Sequence, residues 1–199
     1  QNLTKTLGKV IRINRDGTIP AGNPTFAVGG ALPEIWSLGH RNPQGAAMKP
    51  GTDDLWLTEH GPLGGDELNR VLPGLNFGWP LRSYGCPYSA GTNTPACRVG
   101  GGTHAPTYEE PKTTWLPSST APAGLMFYTG TQFSDLGWQN NVFTGGLAGA
   151  TLGWVHAPQA PVDDGPFLLL GQQPATGRLA ALVGTELRMQ RPRLVDLQE

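Results

Sequence analysis

The sequence predicts an all-β fold made of many short strands, on three observations. Glycine and proline supply 29 and 19 of the 199 residues, about twice their share in average proteins. They are interleaved with tryptophan, leucine and valine along the chain, which favours tight turns between ordered strands over disorder. No stretch longer than a turn or two repeats its apolar residues with the 3.6-residue period of a helix.

The individual strands are predicted from apolar or alternating runs that end in turn residues. Lys9–Asn14 alternates apolar and polar side chains and leads into the turn Arg15–Thr18, as expected of a strand with a hairpin exit. The turn Lys49–Gly51 predicts antiparallel pairing of the runs on either side of it. The other predicted strands are Glu34–Leu38, Gly45–Met48, Asp54–Thr58, Glu67–Val71, Gly124–Tyr128, Asn141–Thr144, Leu152–His156, Phe167–Leu170 and Gly184–Met189.

Residues 76–107 contain few such runs and predict a long loop insertion. Loops of this length in a compact domain commonly carry function. Short strands at this spacing are compatible with a sandwich, a barrel or a propeller. The pattern alone therefore predicts a loop-rich, all-β domain and leaves these three architectures open.

The charge balance argues against two classes of partner. The formal net charge is -1 and no long run of Lys or Arg occurs, so neither a nucleic-acid-binding surface nor a polybasic membrane anchor is expected. The longest apolar stretches, such as Phe167–Leu170, are far too short to span a membrane as a helix. The chain opens at Gln1 with polar residues, so no signal peptide is expected at its start.

The two cysteines, Cys86 and Cys97, lie among turn-forming residues inside the predicted loop. No second cysteine pair or nearby histidine completes a zinc-binding spacing. Two free thiols are one interpretation, and a disulfide that closes a short loop is the favoured one. A disulfide would place the protein in an oxidising compartment, so a periplasmic or secreted location is expected.

Two polar loops that follow predicted strands are candidates for a binding site. Gly39–Gly45 carries an imidazole, a guanidinium and two carboxamides, whose donors suit a ligand with several acceptors. In Thr58–Asn69, a Gly-Pro pair at a strand end can expose consecutive backbone carbonyls, which are oxygen ligands suited to calcium. A solvated strand-end loop and a tight turn with an exposed acidic pair are the respective alternatives.

Two further loops place an indole beside proline and glycine. They are Asn76–Pro80 and Trp115–Gly124. Such indoles can stack on sugars or planar ligands, although packing beneath a loop is the commoner use.

These motifs together resemble a known family. The strings GKVIRINRDGTIP, IWSLGHRNPQG, EHGPLGGDELN, NFGWP, APAGLMFYTG and NNVFTGGLAG occur in an order similar to that of the soluble aldose (glucose) sugar dehydrogenases that use pyrroloquinoline quinone. The resemblance covers about Leu7 to Leu152. It implies a six-bladed β-propeller that binds calcium and the quinone and oxidises aldoses to lactones.

The resemblance also implies an incomplete propeller. A blade takes about 40–50 residues, so 199 residues hold about three to four blades. Residues 1–199 are then expected to form a single propeller region that lacks the N-terminal blades, with 76–107 as a loop insertion.

Several residues match positions that contact the cofactor in this family. Arg41 resembles the catalytic arginine beside the reactive carbonyls of the quinone, where a fixed positive charge stabilises the negative charge that develops as hydride arrives. Asn42 resembles an amide donor to the cofactor. The hydroxyl groups of Ser118–Thr120 lie where one contacts it, and Ser118 and Thr120 are the assigned residues.

The metal and sugar positions follow from the same resemblance. Gly61 and Pro62 match the pair whose main-chain oxygens coordinate calcium, which would anchor the quinone and act on it as a Lewis acid. Asp66 resembles a residue that acts around the metal without binding it directly. Trp115 matches an aromatic residue that lines the sugar entrance.

The departures from the family pattern are also specific. The general base of the family is a histidine upstream of the GKVIRINRDG strand, so this chain is expected to lack it, and neither His40 nor His60 takes that role. Where the family often has a cation after the strand Asn141–Thr144, this chain has Ala148. The residues Arg178, Arg188, Arg191 and Arg193 are unaligned candidates for binding the carboxylates of the cofactor.

The predicted function is therefore that of an oxidoreductase acting on aldose sugars with pyrroloquinoline quinone, calcium and an external electron acceptor. The main alternative is a non-catalytic propeller-like module that binds a sugar or a partner, or a fragment that lacks the general base. A homodimer in which two chains complete one ring is a third possibility.

Overall fold

A computed structural model describes residues 1–27, 29–148 and 150–155. The predicted strands Phe167–Leu170 and Gly184–Met189 lie outside the described residues, as do the four candidate arginines between 178 and 193. Within the described ranges the chain forms β-strands and short 3-10 turns and contains no α-helix. The all-β prediction is confirmed for this part of the chain.

In the described ranges, nine strands form three antiparallel sheets of two, four and three strands. The two-stranded sheet pairs β1 (Lys9–Ile11) with β2 (Ile35–Leu38). The four-stranded sheet runs in chain order through β3 (Pro43–Met48), β4 (Leu55–Glu59), β5 (Asp66–Val71) and β6 (Thr113–Trp115), and the three-stranded sheet through β7 (Pro122–Phe127), β8 (Val142–Gly146) and β9 (Thr151–Val155).

The predicted strands within the described residues are all present, with ends shifted by a few residues, and one strand was missed. Strand β6 has three residues and follows Pro111 and Lys112, so it is too short to show alternation. Its position is set by pairing with β5, in which Asp66 lies opposite Trp115. The segment between β5 and β6 contains three 3-10 turns, Tyr88–Ala90, Pro95–Cys97 and Val99–Gly101.

The middle sheet is buried on both faces. Successive side chains of a strand point to opposite faces, and β4 places Trp56 on one side and Leu57 on the other. The first face packs against the three-stranded sheet in a cluster of Trp56, Leu68, Trp115, Phe127, Val142 and Val155. The second face packs toward the two-stranded sheet through Leu57, Val71 and Phe77 with the partly buried Val10 and Trp36. The three sheets are thus stacked face to face, which brings their strand ends into neighbouring positions.

Hydrogen bonds to one carboxylate organise the long segment between β5 and β6. Glu110 accepts hydrogen bonds from the backbone N–H groups of His104 (2.8 Å) and Ala105 (2.9 Å) and from the hydroxyl of Tyr84. Burial by itself would raise the pKa of Glu110, but these hydrogen bonds lower it. The ionised carboxylate therefore fixes a turn of the loop.

His104 and Glu67 meet beneath this loop, with His104 Nε2 3.5 Å from Glu67 Oε1. Both side chains are almost fully buried. Burial, and then the negative charge of Glu59, raise the pKa of Glu67 well above its usual value of 4.5. Burial also lowers the pKa of His104. Burial therefore favours the neutral form of both groups, although the geometry of their contact is that of an ion pair.

A disulfide joins Cys86 and Cys97 within the same segment. Cys86 is fully buried and forms an antiparallel bridge with Leu63, in which each backbone N–H donates to the carbonyl of the other residue at 3.0 and 3.2 Å. The amide of Asn93 donates to the carbonyls of Leu63 and Tyr84, both at 2.9 Å. These hydrogen bonds attach the disulfide loop to Leu63, the residue that follows Pro62.

The buried state of Glu67 predicts a pH-dependent contribution to stability. Because the folded protein holds this proton more tightly than the unfolded chain, stability falls as pH rises from about 4.5 toward the raised pKa. Glu67→Gln mimics the protonated carboxyl, so its stability relative to the wild type should increase with pH, by at most about 1.4 kcal/mol per pH unit. Urea unfolding at several pH values between 5 and 8 measures this difference.

The exposed Asp53→Asn substitution is the matched control and should give a difference that does not change with pH. If the stability difference between Glu67→Gln and the wild type stayed constant over the same pH range, the burial of a neutral carboxyl would be contradicted.

Candidate functional site

The candidate site lies where β2 and β4 end. Arg41 follows β2 and the turn at Gly61–Pro62 follows β4. Both border one pocket, whose lining includes Arg41, His60, Gly61, Gly65, Trp79 and Arg82. The pocket is narrow, with about 10 Å³ of open volume, which is room for about one water molecule or ion. Arg41 and the Gly61 turn therefore border the same pocket, which in this arrangement is too small to hold a quinone.

Glu59, the last residue of β4, connects the two halves of the site. One carboxylate oxygen, Oε1, accepts from Asn69 Nδ2 at 2.7 Å and lies 3.1 Å from His40 Nδ1. The other, Oε2, accepts from the backbone N–H of Arg41 at 2.8 Å. Burial alone would raise the pKa of Glu59, but the hydrogen bond and charge of His40 bring it below the usual value. An ionised Glu59 thus fixes the backbone of Arg41.

Ser37, His40 and Glu59 have the outline of a hydrolytic triad, since Ser37 Oγ lies 2.8 Å from His40 Nε2. All three side chains are buried, with exposures of 0%, 1% and 3%. The ring of His40 stacks on Phe77 with 4.6 Å between centroids. No substrate could reach this hydroxyl, so the three groups position the start of the loop that carries Arg41.

The side chain of Arg41 makes three contacts within the site. Nη1 donates to the carbonyl of His60 at 2.9 Å, and Nη2 donates to the hydroxyl of Tyr88 at 3.1 Å. The guanidinium lies over the Trp79 ring, 5.2 Å from its centroid. Its Nε is buried and has no hydrogen-bond partner among the described residues. Arg41 therefore faces the pocket and is not paired with a surface carboxylate.

The Gly61–Pro62 turn is shaped by a close approach of main chain. A side chain at Gly61 would overlap the carbonyl oxygens of Gly64 and Gly65, so only glycine fits there. The N–H of Gly61 donates to Asp66 Oδ1 at 3.0 Å. Within the described part of the chain, neither carbonyl oxygen of the Gly61–Pro62 pair accepts a hydrogen bond. Both oxygens remain available as ligands.

Asp66, the fully buried first residue of β5, joins this turn to a loop that precedes β7. Its Oδ2 accepts from Ser119 Oγ at 2.6 Å and from the backbone N–H groups of Thr120 and Ala121, both at 2.8 Å. The donors belong to the loop 118–121 and to the Gly61 turn. Both oxygens of the carboxylate are therefore occupied by protein donors.

Asn42 and His60 lie side by side next to Arg41. Asn42 Nδ2 is 3.5 Å from His60 Nδ1, and Gln44 donates to Asn42 Oδ1 at 2.9 Å. The other ring nitrogen of His60 lies 3.0 Å from the carbonyl of Pro122. His60 thereby bridges the Arg41 loop and β7.

The predicted residues of the loop 115–121 have separate surroundings. Ser118 is exposed. Thr120 is partly buried, and its hydroxyl is shielded and has no hydrogen-bond partner among the described residues. Trp115 is only 5% exposed and packs in the core with Trp56 and Phe127. The assignment of Trp115 to the sugar entrance is not supported, because its ring is used to bury the interface between two sheets.

Three contributors were missed by sequence reasoning. Glu59 was overlooked although it directly precedes the His60-Gly61-Pro62 motif, since an acidic residue at a strand end is ordinary in sequence. Trp79 was identified only as a loop indole. Nothing in the sequence marks Tyr88 except its place two residues after a cysteine, because its contact with Arg41 spans 47 positions.

The donor set limits which metals the site could hold. Among the described residues no three His, Cys, Asp or Glu side chains are close enough together to hold a metal ion. A metal bound in this part of the chain would therefore draw on main-chain oxygens, which suit calcium. A search of the same residues finds no helix of the length and hydropathy needed to cross a membrane.

Comparison with known proteins gives consistent results. The family model described as glucose/sorbosone dehydrogenase matches residues 1–169. The aldose sugar dehydrogenase YliI of Escherichia coli K12 is 44% identical over 149 residues, which is 74% of this chain and 38% of the relative. The quinoprotein glucose dehydrogenase B of Acinetobacter calcoaceticus is 49% identical over 74 residues, covering 37% of this chain and 15% of that protein.

Solved structures agree with the fold. The apo form of the soluble aldose sugar dehydrogenase of Escherichia coli superposes with a TM-score of 0.68 at 37% identity, covering 80% of this chain and 44% of the other. An aldose sugar dehydrogenase from Streptomyces coelicolor, in its PQQ-bound form, gives 0.55 at 27% identity, covering 81% and 38%. The stacked sheets therefore belong to the propeller fold of these enzymes.

The chain spans about a third of the length of the curated relatives it matches. The family model covers most of the chain, and the strands and loops of the site fall inside the matched residues. The chain therefore belongs to the glucose/sorbosone dehydrogenase family.

Proposed function

We propose that the protein oxidises aldose sugars to lactones with pyrroloquinoline quinone and calcium, passing electrons to an external acceptor. The observation that carries this proposal is the common pocket bordered by Arg41 and the Gly61–Pro62 turn. Relatives named as an aldose sugar dehydrogenase and a quinoprotein glucose dehydrogenase support it.

The main chain around Gly61 fits a calcium ion. Two consecutive carbonyl oxygens, those of Gly61 and Pro62, accept no hydrogen bond from the described residues, and calcium prefers such oxygen ligands. Asp66 holds the turn in place by accepting a hydrogen bond from the Gly61 N–H. Its negative charge, buried close to the turn, would also favour a cation there.

The side chains around Arg41 fit an anionic, planar cofactor. Arg41 Nε and the Thr120 hydroxyl are shielded polar atoms without a partner among the described residues, and such atoms ordinarily find one. Asn42 follows Arg41 in the chain, and its amide lies near His60. When bound, the quinone would accept hydride from the anomeric carbon of the sugar. The narrow pocket requires the Arg41 guanidinium to exchange its contact with the His60 carbonyl for one with the ligand.

Arg41 would stabilise the negative charge that develops at the acceptor, since its fixed charge is held by the Glu59 network before reaction begins. The proton of the anomeric hydroxyl needs a separate base. His40 and His104 are buried, and both ring nitrogens of His60 have neighbours within the site. The described residues thus supply the electrophilic half of the reaction and leave the base to be provided elsewhere.

A non-catalytic module that binds a sugar or a partner is the second candidate. The narrow pocket and the lack of a free histidine among the described residues favour it. The Cys86–Cys97 disulfide supports a periplasmic or secreted location for either candidate.

Reconstitution distinguishes the two candidates. The holoenzyme, formed with pyrroloquinoline quinone and excess calcium, should reduce an artificial dye acceptor when glucose is added. Removing calcium with a chelator before the quinone is added should abolish the activity, and returning calcium should restore it. No dye reduction with any aldose, in a preparation that retains its fold, would contradict the enzymatic proposal, as would full activity in the chelator.

Arg41→Lys should lower turnover by about tenfold or more while changing calcium affinity little. A lysine ammonium keeps the charge but cannot reproduce the planar fork of donors that the guanidinium offers to the ligand. Steady-state kcat at saturating cofactor and a calcium titration measure the two effects. Arg70→Lys is the control, because Arg70 pairs with Asp54 on the surface at 3.0 Å. This variant should leave turnover and calcium affinity unchanged. Near-normal turnover in Arg41→Lys would refute the role of the guanidinium.

A further inference from the structure

Tyr88 presents an exposed aromatic ring at the edge of the Arg41 pocket. The residue opens the first 3-10 turn of the long loop and is 68% exposed. Its hydroxyl oxygen lies 3.1 Å from Arg41 Nη2, which donates to it. Because Arg41 supplies the donor in this contact, the phenolic proton of Tyr88 remains free to donate to another acceptor.

The backbone that carries Tyr88 is held in place on both sides. The Cys86–Cys97 disulfide closes the loop, and Cys86 is bridged to Leu63, next to the Gly61–Pro62 turn. Asn93 ties the middle of the loop to the same Leu63 at 2.9 Å. Tyr88 is therefore an exposed ring on a loop whose backbone is held in place.

The two aromatic rings that contact Arg41 differ in accessibility. Trp79 lies beneath the guanidinium and is partly buried. Tyr88 contacts Arg41 through its hydroxyl, and it is largely exposed among the described residues. Trp115, the aromatic residue predicted from sequence to meet the sugar, is buried in the core.

We infer that Tyr88 is a sugar-contacting, specificity-determining residue of this site. Its ring packs against the C–H face of the aldose, and its phenolic proton donates to a sugar hydroxyl, oriented by the bond from Arg41. Sugars present both an apolar face and hydroxyl acceptors, and a tyrosine offers matching groups at low conformational cost. This inference rests on the proposed function, since it assigns the sugar side of the same pocket.

Kinetics of two variants test the inference in the holoenzyme reconstituted with pyrroloquinoline quinone and calcium. Tyr88→Phe should raise KM for glucose about fivefold, the loss expected for one hydrogen bond. Tyr88→Ala should raise it about tenfold or more, because the ring is lost too. In both variants kcat should stay within about twofold of the wild type, and the calcium requirement should not change. Tyr108→Phe is the control and should leave KM unchanged, because Tyr108 lies in the same long segment at the His104 turn, where its backbone N–H donates to the His104 carbonyl at 3.0 Å.

Chemical modification gives a readout that does not depend on turnover. Nitration of Tyr88 by tetranitromethane, followed by mass spectrometry of the peptide, should slow when glucose is added, whereas nitration of Tyr108 should not. Equal rates with and without glucose would overturn the inference.

The kinetic outcomes separate this inference from the proposed function. An unchanged KM in both Tyr88 variants of an active enzyme would overturn the sugar contact alone. A fall in kcat with unchanged KM would also overturn it and leave Tyr88 as a residue that only positions Arg41. A wild-type holoenzyme without activity on any aldose would overturn the proposed function itself, and the sugar contact with it.

Discussion

Two buried carboxylates at adjoining strand ends, Glu59 and Asp66, determine the geometry of the whole site. Glu59 fixes the start of the Arg41 loop, and Asp66 fixes the Gly61 turn together with the loop 118–121. Charge-assisted hydrogen bonds of this kind are about twice as strong as neutral ones. A buried charge that lost its donors would be costly, so each carboxylate enforces the loop conformation that satisfies it.

These carboxylates reach their hydrogen-bond donors because the sheets stack face to face. Trp56, Leu68 and Trp115 on the middle sheet pack against Phe127 and Val142 of the next, which brings the loop 118–121 within reach of Asp66. The burial of Trp115 thus serves the site indirectly. On the opposite face of the middle sheet, burial raises the pKa of Glu67. Burial would also raise the pKa of Glu59, but the hydrogen bond and charge of His40 bring it below its usual value. Hydrophobic contact between sheets and hydrogen bonding at their ends act together.

Local pattern predicted most of this fold, since alternation and turn residues mark strands such as β4 and β8. It missed β6, whose three residues are defined by pairing with β5. The motifs identified Arg41, Gly61 and Pro62 at one place because short polar strings after strands carry a family resemblance. The roles of Glu59 and Tyr88 were not predicted, because their hydrogen-bond partners are distant in sequence. The position of Trp115 was misjudged, because burial between sheets depends on tertiary packing. The disulfide could be favoured from composition, but its attachment to Leu63 could not.

The central claim is that one carboxylate couples the Gly61–Pro62 turn to the loop 118–121, and hydrogen exchange of the Asp66→Ala variant tests it most directly. Alanine removes both carboxylate oxygens, to which the four protein donors bind, and so leaves these donors without their acceptor. Backbone amides of Gly61, Thr120 and Ala121 should therefore all exchange faster than in the wild type. Those of β4 should keep their protection, and the surface variant Asp54→Asn should change none of them. Unchanged exchange at Thr120 and Ala121, or faster exchange in one loop alone, would contradict the account.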